Sequence, residues 1–221
     1  PMDGYPVHNA WDLGIRDSMV IWFWQAVPGA NGGQVRVLGC YSGMNYNIGH
    51  YAEVIKQRSI EWGYERGTDY VPHDAKQREM GSVLPGEARQ RLEVMVECGL
   101  KPHPIANHRI IDGISAVRQI LPRCWFDEVC CEQGLEGLRQ YQAEWDDERK
   151  IFRDQPKHDW SSHFADGART MAMAYREVQA AMPAPRPAGL IVGSAVSPGF
   201  RLPTMKEVIE AQQERPRNGR I

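Results

Sequence analysis

Three polar side chains share one face of a helix predicted in the segment HDWSSHFADGART (158–170). Asp159, His163 and Asp166 lie at positions i, i+4 and i+7. The helical period of about 3.6 residues places such positions on the same side of the helix. An amphipathic helix usually carries Leu or Val along a stripe of this kind. Here the stripe carries two acids and an imidazole instead of apolar side chains, which indicates a chemical role for this face of the helix.

Two further acids lie in predicted strands far from this helix. Asp12 belongs to the first strand, within WDLG, and Asp74 ends the fourth, within VPHDA. Sites in α/β folds gather where strands end, so these acids and Asp166 can converge on one point. Three converging carboxylates stay ionised only if cations neutralise them, and Mg²⁺ prefers oxygen ligands. Two such ions about 4 Å apart can activate a water and stabilise the leaving oxygen of a phosphodiester. The acids therefore indicate phosphodiester hydrolysis.

The elements that must position these residues alternate between strands and helices. β-Branched and aromatic residues predict strands at 7–13, 18–25, 34–41, 69–72, 101–107 and 124–128. Apolar periodicity predicts helices at 50–67, 87–98, 111–121, 134–145 and about 160–180. The first three strands form a meander, and the first two are an antiparallel hairpin joined at GIRD. The order predicts an α/β fold with a mixed sheet flanked by helices.

Several local signals refine these boundaries. Gly99 occupies the position after a helix that favours left-handed backbone. Asp112 is expected to cap the helix at 111–121, which Pro122 ends. The charged segment 146–157 fits a β-hairpin or a mobile loop inserted between two helices. Residues 183–221, rich in Pro and Arg, predict a flexible tail with one short helix, so the folded domain is expected to span 1–182.

Composition limits the class of protein. The chain has 221 residues, of which 42% are apolar and 24% charged, as is typical of soluble globular proteins. The net charge of −2 argues against a histone-like binder of nucleic acid, although a local basic groove is compatible with it. No apolar run reaches the roughly 18 residues of a membrane span, and no signal peptide is recognisable. The five cysteines lack CxxC pairs, so we expect reduced thiols, a cytoplasmic location and no membrane contact.

Four segments carry a resemblance to a known family. WDLGIRDSMVIWFWQ, YVPHDAKQRE, IIDGISAVRQIL and HDWSSHFADGART resemble motifs of the C-terminal nuclease domain of phage terminase large subunits. The resemblance runs over about residues 8–176 and implies an RNase H-like fold. It also implies a host-cytoplasmic endonuclease that uses two Mg²⁺ or Mn²⁺ ions to cut concatemeric viral DNA during packaging. The implied partners are double-stranded DNA, an ATPase domain in the full protein, the small terminase subunit and the portal or procapsid.

The resemblance also implies roles for individual residues. Asp12, Asp74 and Asp166 match the metal-binding acids, which are also the catalytic residues. His163 is similar to a histidine that joins the metal shell in some members. Asp17 is similar to a further acid near the site. Asp159 is expected to cap the helix or support the site from behind, and His73 flanks Asp74 and could orient it.

Each of these residues has a structural alternative. Asp12 could be a buried strand acid, and Asp74 could cap a helix beginning at AKQRE. His163 could be a satisfied structural histidine, and Asp17 could accept backbone hydrogen bonds in the GIRD turn. Six arginines near the expected cleft are candidates for DNA phosphate contacts, although each alone could be a solvated surface charge: Arg16, Arg78, Arg118, Arg149, Arg153 and Arg169.

Other functions fit the same acids. The sequence has no G-x-x-x-x-G-K-[ST] loop, so we expect neither ATP hydrolysis nor DNA translocation by this chain alone. A Holliday-junction resolvase or an RNase H would share the fold, but the charged segment and the tail favour a terminase. A portal or procapsid docking module with vestigial acids is a further alternative. The presence of all three acids and His163 favours an active nuclease with little sequence preference.

Overall fold

The structure is a computed structural model, and it describes residues 1–14, 18–29, 33–76 and 91–181. All of these belong to the first of the two units into which the chain divides, Pro1–Ala184. The second unit, Pro185–Ile221, lies outside the described residues, as do the expected short helix and the tail. The domain boundary at residue 182 therefore stays a prediction.

The described residues form an α/β fold, as predicted, with strands and helices in nearly the expected order. The strands are β1 Val7–Asp12, β2 Met19–Val27, β3 Gln34–Gly43, β4 Arg66–Val71, β5 Pro102–Pro104, β6 Cys124–Phe126, β7 Ala143–Asp146 and β8 Ile151–Pro156. The α-helices are α1 Ile48–Glu61, α2 Arg91–Glu97, α3 Ile110–Ile120, α4 Glu132–Gln140 and α5 Trp160–Ala181. Two 3₁₀ helices, His73–Lys76 and Leu121–Arg123, follow β4 and α3.

Six strands form one mixed sheet in the order β5-β4-β1-β2-β3-β6. The pairs β1–β2 and β2–β3 are antiparallel, which confirms the predicted meander. Strand β4 runs parallel to β1 on one side, and β6 runs parallel to β3 on the other. Because β1 and β4 are parallel neighbours, the residues that follow both strands emerge at the same edge of the sheet.

Both faces of the sheet are covered by helices. One apolar cluster joins α3, α4 and α5 to the face that carries Val20, Trp22 and Trp24. The other joins α1 and α2 to the face that carries Ile21 and Phe23. Consequently all nine residues of β2 are buried, and the Trp-rich run VIWFWQ belongs to the core. Among the described residues, no helix combines the length and apolar character that crossing a membrane requires.

Helix α5 lies close against β2. The indole Nε1 of Trp22 donates a hydrogen bond to the Phe164 carbonyl at 3.0 Å. A side chain at Gly167 would bring its Cβ within 2.9 Å of the Trp22 ring. The glycine therefore permits a separation between helix and strand that a larger residue would prevent.

Three sequence expectations about helices were wrong. The helix predicted over 50–67 ends at Glu61, and residues 66 and 67 begin β4. The helix predicted over 134–145 ends at Gln140, and 143–146 instead forms β7, which pairs with β8 as a hairpin. Cross-strand contacts prevail over the helical pattern there, since Trp145 packs edge-on against Phe152 with ring centroids 4.9 Å apart. The helix at 111–121 is not capped by Asp112. Its N-cap is Arg109, and Asp112 lies in the first turn, where its carboxylate binds the Arg109 guanidinium at 2.9 Å.

The start of α5 is held by Asp159. Its Oδ1 accepts hydrogen bonds from the Ser161 backbone N–H at 2.9 Å and from the Ser161 hydroxyl at 2.6 Å. Its Oδ2 lies 3.2 Å from the Lys157 ammonium. The Ser161 hydroxyl, as the largest contribution, lowers the pKa of Asp159. The carboxylate thus satisfies a helix N–H that would otherwise lack a partner.

A largely buried histidine lies on β1. The ring of His8 is 5.0 Å from Trp24 and 5.6 Å from Tyr70, centroid to centroid. Its Nδ1 accepts a hydrogen bond from the Thr68 backbone N–H at 3.1 Å. Burial lowers the pKa of His8 to about 4, so the ring is neutral in the folded state near neutral pH.

The buried His8 should make stability depend on pH. The unfolded chain binds a proton at His8 near pH 6.5, whereas the folded chain binds it only near its pKa of about 4. The contribution is therefore complete above about pH 6.5 and is lost as the pH falls toward 4, by at most about 3 kcal/mol. Urea unfolding across this range should show the wild type losing this much relative to His8→Gln. Parallel pH profiles for the two proteins would contradict the assignment.

Replacing the α5 cap should reduce stability. Asp159→Ala is expected to lower the free energy of unfolding by about 1 kcal/mol, because the Ser161 N–H loses its acceptor. The matched control is Asp159→Asn, which retains a capping oxygen and should lose clearly less. Chemical denaturation of both variants provides the measurement. Equal losses would show that the cap hydrogen bond is not what Asp159 contributes.

Candidate active site

The last residue of β1 brings the first acid to the edge of the sheet. Asp12 lies two residues after Ala10, which belongs to the cluster beneath α5, so strand alternation directs Asp12 to the same face. Its backbone pairs with Val20 at the start of β2. Its side chain is only 15% exposed. A carboxylate this deeply buried needs a partner.

That partner is His163. The close contact of α5 with β2 places His163 over the end of β1, where its Nδ1 lies 3.0 Å from Asp12 Oδ2. The histidine side chain is 12% exposed, so both members of the pair are shielded from water. Burial raises the pKa of Asp12, while the hydrogen bond and charge of His163 oppose that rise. The contact joins residues 151 positions apart in the sequence.

Asp166 follows one turn later on α5 and pairs with an arginine on its own helix. The Arg169 Nη2 lies 2.6 Å from Asp166 Oδ1. Burial raises the pKa of Asp166 to about 6, Arg169 lowers it, and the negative charge of Asp12 raises it further. Asp12 and Asp166 therefore repel each other, as two carboxylates of one cluster do.

Asp74 reaches the same region from β4. It lies in the 3₁₀ helix that follows this strand, which ends beside β1 because the two strands are parallel. The side chain is exposed, and its charge contributes to the raised pKa of Asp12. The alternative that Asp74 caps a following helix falls on residues 77–90, outside those described.

Asp12 interacts electrostatically with both Asp74 and Asp166, but the three acids do not form a complete metal site. Among the described residues, no group of three or more His, Cys, Asp or Glu side chains is placed to hold a metal ion together. Two of the acids are instead bound by cations or potential cations, His163 and Arg169. The donor set of three carboxylates and one imidazole nevertheless fits an ion that prefers oxygen, such as Mg²⁺ or Mn²⁺.

Of the three predicted supporting residues, the structure describes Asp159 and His73. Asp159 faces the start of α5 rather than the acids. His73 is exposed in the 3₁₀ helix beside Asp74. His158, a loop histidine in the sequence, lies 5.6 Å from the His163 ring and lowers the pKa of Asp166 through its charge. Asp17 lies outside the described residues, so its role stays a prediction.

The structure separates the six predicted arginines. Arg16 and Arg78 lie outside the described residues. Arg153 pairs with Glu144 and Asp146 on the β7–β8 hairpin, at 3.3 and 3.2 Å. Arg149 is exposed on the same hairpin, and Arg118 is exposed on α3. Among the described members of this set, Arg169 is the one that forms an ion pair with a predicted acid.

Sequence reasoning missed two residues near the acids. Trp22, a core residue with no predicted role at the site, sets the position of α5 through its hydrogen bond to Phe164. Tyr141 lies just after α4, and the charges of Arg169 and Asp166 both affect its pKa, which burial raises. Neither role has a sequence signal, because both depend on contacts between elements distant in the chain.

Comparisons with known proteins identify the fold. No family model and no curated protein matches the sequence. The nuclease domain of the large terminase of phage P22 is 16% identical, with a TM-score of 0.55 over 80% of this chain and 84% of that one. The SPP1 large terminase nuclease domain, solved with bound Mn, is 11% identical, with a TM-score of 0.53 over 78% of this chain and 86% of that one.

A longer terminase gives a similar result. The large terminase of a thermophilic bacteriophage is 15% identical, with a TM-score of 0.55 over 78% of this chain. The aligned region covers 40% of that protein, so the present chain corresponds to less than half of its length. At these identities the likeness concerns the fold. The chain has the mixed α/β fold of the nuclease domains of phage large terminases.

Proposed function

We propose that this chain is a metal-dependent DNA endonuclease that cuts concatemeric viral DNA during genome packaging. The observation that carries the proposal is the placement of three acids at one edge of the sheet. Asp12 ends β1, Asp74 follows the parallel neighbour β4, and Asp166 lies one turn after the residue of α5 that contacts Asp12. These acids come from three separate elements of a fold shared with phage terminase nuclease domains. A purely structural role would not require buried carboxylates that repel one another.

The proposed ligands are the carboxylates of Asp12, Asp74 and Asp166, together with the imidazole of His163. Bound Mg²⁺ or Mn²⁺, two ions in the proposal, would activate water and stabilise the leaving oxygen of the phosphodiester. The bound Mn in the SPP1 nuclease domain supports a divalent metal in this fold. The oxygen-rich donor set supports the same choice on chemical grounds.

Side chains of α5 pair with two of the proposed metal ligands, Asp12 and Asp166. His163 forms a hydrogen bond with Asp12 and Arg169 forms an ion pair with Asp166, which lowers the cost of burying these acids. In the proposal, His163 would be a metal ligand beside Asp12, and Arg169 would be a cation beside the cleaved strand. His158 orients the ring of His163 from the preceding loop. Asp159 holds the first turn of α5, which carries His163, Asp166 and Arg169.

The proposed biological setting is a longer terminase. The region that matches this chain makes up 40% of the large terminase of the thermophilic bacteriophage. That terminase has also been solved with ADP. We infer that an ATPase domain, a small terminase subunit and a portal or procapsid place DNA on this domain in the host cytoplasm. The net charge of −2 supports a need for partners that bring DNA to the domain, because a nearly neutral domain attracts DNA weakly.

DNA cleavage should depend on added metal. The purified chain is expected to nick supercoiled plasmid with Mg²⁺ or Mn²⁺ and to be inactive in EDTA, because the carboxylates alone cannot activate water. Mn²⁺ should be at least as effective, since it accepts the nitrogen ligand of His163 more readily. Gel analysis of nicked and linear plasmid provides the measurement, with parallel reactions on a four-way junction and an RNA–DNA hybrid. Full activity in EDTA, or a preference for either alternative substrate, would overturn the proposal.

Substitutions on α5 should separate catalysis from stability. Asp166→Asn should abolish nicking while keeping the fold, because the amide has the same shape but no charge to hold a metal. His163→Ala should lose about 10–100-fold in metal affinity or activity and recover partly at high metal concentration. Asp159→Asn, which changes the cap of the same helix and keeps a capping oxygen, is the matched control and should cleave normally.

Metal titrations of nicking and thermal melts of the same preparations check this pattern. A folded Asp166→Asn variant with wild-type activity would show that the three-carboxylate site is wrong. A His163→Ala variant that added metal cannot rescue would assign His163 to structure alone.

A further inference from the structure

A cavity of about 510 Å³ lies between α3, α4, α5 and the β7–β8 hairpin, beside Arg169, whose guanidinium also binds Asp166. Its wall is mostly aliphatic and is formed by Ile114, Val117, Leu135, Leu138 and Ala165 together with Phe126. Neither the fold nor the proposed cleavage site requires an opening of this size. Cavities of this volume with apolar walls commonly receive a ligand or a partner side chain.

The apolar wall continues outward to the protein surface. Ile111 and Leu121, at the two ends of α3, both line the cavity and are 52% and 42% exposed. Exposed aliphatic side chains around an apolar opening are typical of a surface that a partner covers. A small molecule held inside the cavity would leave this rim in water, whereas a protein segment lying across the opening would cover it.

The charged residues that line the cavity are positive, and they favour a negatively charged partner. Three arginines line it, Arg118, Arg139 and Arg169, and the described lining contains no Asp or Glu. Arg139 and Arg169 also pair with acids outside the lining, Glu136 at 3.5 Å and Asp166 at 2.6 Å. Within the described part of the chain, the Tyr141 hydroxyl and the Nε and Nη1 of Arg169 are buried without a hydrogen-bond partner. Buried donors of this kind are costly unless an acceptor reaches them. A carboxylate is a strong acceptor for both groups.

We propose that this cavity docks an apolar segment of a partner protein and that a carboxylate of that segment reaches Tyr141 and Arg169. Leu, Ile or similar side chains of the segment fill the aliphatic part and cover Ile111 and Leu121. Arg118 and Arg139, at the opening, attract the acidic segment. A protein segment fits better than nucleic acid, because bases stack on aromatic rings and phosphates require a polar groove, whereas this wall is chiefly aliphatic.

The chain offers matched controls for a test. Ile110 and Ile111 are neighbours at the start of α3 with similar exposure, 48% and 52%, but only Ile111 lines the cavity. Likewise Arg118 and Arg123 are both exposed, and only Arg118 lines it. Ile111→Lys and Arg118→Gln therefore change the proposed site, while Ile110→Lys and Arg123→Gln change its surroundings.

The experiment selects random peptides of about 12 residues on the intact chain, a length that spans a groove of this kind. Enriched peptides should combine at least two large apolar residues with an acid. Fluorescence anisotropy of a labelled, enriched peptide should show affinity falling about tenfold or more for Ile111→Lys, and measurably for Arg118→Gln. Neither control should change it. Replacing the acid of the peptide by its amide should weaken binding to the wild type by a similar factor.

Three results would overturn the proposal. The first is a selection that enriches nothing on the wild type beyond what Ile111→Lys enriches. The second is binding that ignores the acid of the peptide or falls equally for both isoleucine variants. The third is a single- or double-stranded oligonucleotide whose own affinity falls with Ile111→Lys but not with Ile110→Lys, which would make the cavity a nucleic-acid site. None of these readouts depends on nuclease activity, so the outcome is independent of the proposed function.

Discussion

The hydrogen bond from Trp22 to the Phe164 carbonyl fixes the relation between the sheet and α5 on which the candidate site depends. A strand covered on both faces can hold a large ring in one position, and the indole N–H then requires an acceptor. Phe164 supplies it from the residue after His163. Gly167 on the next turn allows the helix to approach the ring closely. Together these contacts set the rotation and height of α5 over β2, and with them the direction of His163 and Asp166.

The same packing that positions the acids also opposes their ionisation. Burial is the largest influence on both Asp12 and Asp166, and it raises the pKa of each. His163 and Arg169, both on α5, are the partners of these two acids: His163 contacts Asp12, and Arg169 forms an ion pair with Asp166. One helix thus provides an acid and the partners of both acids, and the region still retains a set of oxygen donors. A bound metal ion would add positive charge beside the same carboxylates.

Local pattern predicted much of this fold. The meander of β1 to β3, the helix α5 and Gly99 after α2, with φ of +75°, follow from composition and periodicity within short windows. Contacts between distant segments explain the errors. The run GLEGLRQYQAEW keeps a helical pattern beyond Gln140, yet pairing of β7 with β8 ends the helix. Asp is a residue type that often caps helices, but Arg109 occupies the N-cap position of α3. Its guanidinium binds the carboxylate of Asp112 in the first turn.

Contacts between distant segments also limit what the sequence predicts about the candidate site. Residue types and spacing predicted a set of candidate acids, but no spacing rule predicts that His163 meets Asp12 across 151 positions, or that Arg169 binds Asp166. Arg169 was expected at a DNA surface. It lies between an acid of the candidate site and an apolar cavity, with two of its nitrogens unpaired among the described residues, and its contact with DNA stays a prediction. Because a guanidinium can bind carboxylates on more than one edge, a charge arriving from the cavity and the charge of Asp166 share one cation. The cavity and the candidate site are thus linked by a single side chain, and the electrostatic balance of Asp166 depends on what surrounds Arg169 on its other side.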